Sequence, residues 1–196
     1  WSNSDGVKIK NIFEKILNKN LSKYSSKILD ITLLTNSYIP SQNISSQEFL
    51  DFKSQYLINK GDYDLIKIFL KKNPLLKSNN KLLKYYVEYY LSNAQIEKSC
   101  EVFDISRPIN DKYLNYFQIY CLISQDKKEQ AQMLFDLISE TESIDKFFSN
   151  KFNILMGYIE KDNEVSDDNI LFFHLSHKTN DNFLYEPNLD TDKFIW

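Results

Sequence analysis

Glycine is scarce in this chain, three among 196 residues, and arginine scarcer still, with Arg107 alone. Three glycines are too few to build a cradle of backbone amides. No Gly-rich phosphate loop, nucleophile elbow or His-Glu-x-x-His zinc motif is present. A single arginine argues against nucleic acid as a partner, because guanidinium forks dominate phosphate and guanine contacts. No apolar run approaches the ~20 residues that span a bilayer, so direct membrane insertion is not expected. No charged-then-apolar leader opens the chain. The ends at Trp1 and "DKFIW" read as the boundaries of an excised piece, leaving room for a leader or further domains outside it. These absences make a non-catalytic protein without a cofactor the expectation.

What is present is globular: 42% hydrophobic and 26% charged residues, with 14 Phe and 13 Tyr carrying much of the apolar content. The Lys, Asn, Ile and Tyr bias is that of an AT-rich genome. Charge is graded along the chain: residues 1–85 hold 14 Lys against 7 acids, and the remainder is acidic enough to bring the net charge to −3. Such a gradient steers encounters with charged partners, although ordinary solvated helix faces produce it too.

Aligning Gly61, Ala94 and Asp126 exposes an internal repeat of 33 and 32 residues. Upstream, Phe49, Leu82 and Leu114 correspond, as do Phe52, Tyr85 and Phe117, then Tyr56, Tyr89 and Cys121, then Leu57, Tyr90 and Leu122. Downstream, Ile66, Ser99 and Ala131 correspond, then Phe69, Val102 and Leu134, then Leu70, Phe103 and Phe135. Within a unit these matches keep helical spacing, so each unit is two amphipathic helices around a tight turn. One hairpin cannot bury its apolar stripe alone, and neighbours must stack. In "YLINKGDYDLIKIFLKKNP", Gly61 ends the first helix in the left-handed conformation, Asp62 caps the second, Asp64 suits its dipole, and Pro74 stops it.

That stretch resembles the middle of a tetratricopeptide repeat, with its Gly-Asp-Tyr turn, following helix and closing Pro. The resemblance covers residues 47–140 and is clearest in the first unit. Ser54, Ser99 and Ala131 fit the family's small positions; Val87, Ile119 and Ile66 depart from them. The implied fold is all-α, a right-handed solenoid of stacked antiparallel hairpins in one domain over residues 1–178. The hairpins fall at about 6–38, 47–74, 80–106, 111–140 and 145–178, and residues 179–196 form an extended tail or the start of another module.

The implied function is a scaffold that binds a peptide or protein on its concave face. That face would present Asp51, Gln55 and Asn59, then Lys81, Lys84 and Glu88, then Tyr113, Tyr116 and Tyr120. The three tyrosines share one helical face and serve either as a groove stripe or as core. The family's Lys, Asn and Arg carboxylate clamp is absent, so a peptide C-terminus is not the implied ligand. The alternative is a helical accessory domain of a larger enzyme or envelope-associated protein.

Three constellations bear on chemistry. His174 and His177, with Asp167 two turns earlier, offer a metal pair at helical spacing but lack a third supported ligand. "EKDNEVSDDN", 160–169, fails as an EF-hand calcium loop, with Asp167 at the glycine position and Phe173 at the bidentate-Glu position, and reads as a solvated connector. Cys100 and Cys121 fall on consecutive helices. They bridge if their Cα atoms come within about 7 Å, and otherwise are two small buried thiols. A bridge would imply an oxidising compartment such as a bacterial periplasm or envelope; free thiols would suit the cytoplasm.

Overall fold

The computed structural model describes residues 1–17, 19–35, 38–72, 80–103 and 108–186. Among the described residues it is all-helical, with one isolated bridge between Asp5 and Gln42 and no strand. The helices are α1 (Gly6–Leu17), α2 (Lys23–Leu34), α3 (Ser46–Lys60), α4 (Tyr63–Lys72), α5 (Asn80–Ser92), α6 (Ile96–Cys100), α7 (Lys112–Ser124), α8 (Lys128–Thr141), α9 (Lys146–Met156) and α10 (Ile170–Thr179). The order is compatible with a helical repeat. The predicted stop at Pro74, the chain around Arg107 and the end of the tail from Pro187 lie outside the described residues.

The repeat register is written into the backbone. Gly61, Ala94 and Asp126 all adopt positive φ, at 64°, 55° and 59°, and the helices break at each. A side chain in this region costs ~1–2 kcal/mol, which glycine avoids at the first turn. Hydrogen bonds hold the other two: the Gln95 N–H donates to Tyr90 O and the Lys127 N–H to Leu122 O, each at its turn. Asp62 caps α4 as expected, its Oδ1 accepting from the Leu65 N–H at 3.0 Å. Gly157, at φ 84°, ends α9 in a fourth such turn. The corresponding core positions Phe49, Leu82 and Leu114 are buried, as are Leu57, Tyr90 and Leu122, and Ile66, Ser99 and Ala131.

The chain divides into two compact units, Trp1–Leu83 and Lys84–Trp196. In the first, Ile9 and Phe13 of α1, Leu33 of α2, and Phe49 and Tyr56 of α3 form one core cluster. Trp1 closes it, stacking 6.4 Å from Phe13 and edge-on to Phe49. In the second, α7 packs against α6, α8 and α9, and α9 against α10. α6 is shorter than the helix expected to run on toward residue 106. After Cys100 the chain turns, with the Phe103 N–H donating to Cys100 O and the Phe103 ring stacking 5.7 Å from Phe117 of α7.

Candidate functional site

A polar surface of the first unit lies along α3. Ser45 and Glu48 start this helix with a reciprocal cap, and the Lys10 ammonium pairs with Glu48. Lys10, then the Ser45 backbone N–H, hold the Glu48 carboxyl down at about 2. Beyond the cap, Gln47, Asp51, Gln55 and Asn59 recur every fourth residue and so share a row. Gln47 Nε2 donates to Asp51 Oδ1 at 2.9 Å, and Gln55 Nε2 to Asn59 Oδ1 at 2.7 Å. Lys81 Nζ, from α5, donates to Gln55 Oε1 at 2.8 Å. The row borders a cleft of about 410 Å³ lined by Leu17 and Phe52 together with Glu48, Asp51, Gln55 and Lys81. Four expected binding residues, Asp51, Gln55, Asn59 and Lys81, are thus brought together at the surface.

Three more meet in the second unit. The Lys84 ammonium lies 4.7 Å from the centroid of the Tyr113 ring and 3.8 Å from Glu88 Oε1. The remaining two correct the sequence-based expectation. Tyr116 and Tyr120 do not line an exposed stripe; they are only 2% and 3% exposed. The reason is the position of α7, buried continuously from Leu114 to Leu122 because neighbouring helices cover it on several sides. Tyr116 stacks on Phe148 with ring centroids 3.9 Å apart, and its hydroxyl accepts from the Asp145 N–H at 2.7 Å. Tyr120 Oη lies 2.8 Å from His174 Nε2.

His174 and His177 have different partners. His177 is exposed and meets the edge of Phe183, while Asp167 accepts from the Tyr185 hydroxyl at 2.6 Å. Among the described residues no group of three or more His, Cys, Asp or Glu is arranged to hold a metal ion. Cys100 and Cys121 are bonded, with Cα atoms 5.5 Å apart. The acidic connector carries a task that sequence reading missed. Asp162 pairs with the buried Lys151 of α9, and Glu164 O accepts from the same ammonium at 2.8 Å. The available signal was a lysine set among Phe147, Phe148 and Phe152, followed by an acid-rich segment.

Burial lowers the His174 imidazole from its ordinary 6.5 to about 4, with Lys178 and then His177 adding to the effect. Between those pH values the unfolded chain binds more protons than the folded one, so the histidine's contribution is whole above pH 6.5 and declines as pH falls toward 4. The expected loss across that window is roughly 1–3 kcal/mol. His174→Gln retains a polar partner for Tyr120 and does not titrate. Urea midpoints measured against pH should therefore flatten in this variant, and an unaltered slope would remove His174 as the cause.

No family model, no curated protein and no solved structure matches the chain.

Proposed function

We propose that the chain is a non-catalytic interaction module, a tetratricopeptide-like right-handed stack of helical hairpins that binds a peptide or protein segment. The observation that carries this reading is the α3 row, Gln47 to Asn59 with Lys81, set at the rim of an open cleft. Side-chain amides joined in such a row keep spare donors, such as the second Nε2–H of Gln55 and the Nδ2 hydrogens of Asn59. These suit the carbonyls of an extended chain, while Leu17 and Phe52 offer apolar contact in the cleft. The Cys100–Cys121 bridge supports placement in an oxidising compartment, such as a bacterial periplasm or envelope.

A random peptide library selected on the intact chain tests the proposal. Enriched peptides should lose ~10-fold or more in affinity to Gln55→Ala with Lys81→Glu, since the pair of changes removes an amide donor from the row and reverses the charge at its rim. Failure to enrich any peptide, or affinities indifferent to both changes, would defeat it.

A further inference from the structure

α2 turns one side inward, with Leu33 fully buried and Leu29 against the core, and leaves an apolar row in water. Tyr24, Ile28 and Ile31 are 82%, 66% and 62% exposed. Spacings of four and three place them along one line of the helix. Lys23 and Lys27 follow on the flank of that line, on the side that carries Asp30. There a cleft of about 450 Å³ opens, lined by Lys23, Tyr24, Ser26, Lys27, Asp30 and Lys60. A neighbouring cleft of about 460 Å³ shares Ser26 and Lys60 with it.

Charge around this cleft is unbalanced. Among the described residues Asp30 is the only acid lining it, and it is already engaged, pairing with the Lys60 ammonium and accepting the Tyr56 hydroxyl at 2.8 Å. Among the described residues the Lys23 and Lys27 ammoniums have no hydrogen-bond or ion-pair partner. The wider segment 1–85, with 14 Lys against 7 acids, adds a field of the same sign. An occupant of this face must therefore supply apolar side chains to the row and carboxylates to the flank.

We infer that α2 is a docking surface for an acidic amphipathic peptide segment, its apolar residues on Tyr24, Ile28 and Ile31 and its carboxylates at Lys23 and Lys27. Concavity favours a peptide over an anionic membrane: side-chain carboxylates enter the two clefts, whereas a plane of headgroups spans them. Burying large apolar side chains supplies affinity, and the lysines supply steering and orientation. This surface is additional to the α3 row: its apolar row and lysines lie on α2, and Asn59, which lines the second cleft, is the one residue the two share.

The test takes the intact chain and a fluorescein-labelled synthetic peptide with leucines at i, i+3, i+4 and i+7 and glutamates elsewhere, read by fluorescence anisotropy. The same peptide with lysines for glutamates, and vesicles of phosphatidylcholine with phosphatidylserine, serve as comparisons. The glutamate peptide should bind, weaken with added salt, and lose ~10-fold or more both to Lys23→Glu with Lys27→Glu and to Ile28→Ser with Ile31→Ser. The lysine peptide should not bind. All four substitutions are at exposed positions, and circular dichroism verifies that the helices persist. Absence of glutamate-peptide binding, equal binding by all variants, equal binding of the lysine peptide, or a preference for the vesicles would each overturn the inference. Peptides selected on the α3 surface are scored with separate variants, so either surface fails on its own data.

Discussion

Asp162→Ala is expected to destabilise the second unit by about 3–5 kcal/mol, the cost of leaving a buried charge without its partner. Lys151 is 0% exposed, yet it sits on α9 between Phe148 and Phe152. Its ammonium is satisfied by Asp162, by Glu164 O, and by the ring of Phe147 at 5.1 Å. Asn150 Nδ2 also donates to Asp162, so one carboxylate fastens two adjacent α9 residues to the connector. Removing that carboxylate strands the ammonium in a desolvated site. Lys151→Met should be much milder, since the charge goes and Asp162, 29% exposed, stays partly hydrated. Combining both changes should recover most of the loss, because an apolar side chain then fills the buried site. Urea unfolding of the three variants measures this order. Asp162→Ala within ~1 kcal/mol of the parent would put the pair among exposed bridges of small effect.

Opening the Cys100–Cys121 bridge should cost ~3 kcal/mol, the loop entropy released to the unfolded chain by a closure of this size. The sequence separation is 21, and both half-cystines are buried. At this chain length the loss corresponds to a fall in Tm of roughly 6–12 °C. The bridge does more than close a loop. α6 has five residues, fewer than sustain an isolated helix, and the bond fastens its last residue to α7. Thermal melts of Cys100→Ser with Cys121→Ser against the oxidised parent test the magnitude. A thiol titration of the unfolded parent should find no free thiol before reduction and both cysteines after it. Equal melting temperatures, or two titrating thiols without reductant, would contradict the prediction, and the second result would also withdraw the oxidising compartment.

The same contrast between local and distant partners governs the candidate sites. Asp51, Gln55 and Asn59 were named as positions the tetratricopeptide resemblance implies, and they lie side by side because they are four apart on one helix. Tyr116 and Tyr120 have the same kind of spacing, yet they are core. Nothing in their own helix states that Phe148 and His174, 32 and 54 positions later, cover them. Lys151 presents the converse. Its apolar surroundings were readable, but which of the acids in 160–169 reaches it depends on the path of the connector. Gly157 carries the same turn signal as Gly61, although Tyr158 and Ile159 after it, both exposed, extend the apolar pattern of α9 past the turn.

The amino-acid order alone set the turns at Gly61, Ala94 and Asp126 and the cap at Asp62, because a cap or a left-handed turn is completed by groups within about five residues. It likewise set the period that aligns Phe49 with Leu82 and Leu114, since one buried stripe per helix is a property of helical geometry. Tertiary packing decided which helices are covered on further faces. It buried the tyrosines of α7, paired Lys151 with Asp162, joined Cys100 to Cys121 and left the Tyr24, Ile28 and Ile31 row of α2 in water. Those outcomes turn on contacts between segments far apart in the chain, whose energies no single helix contains.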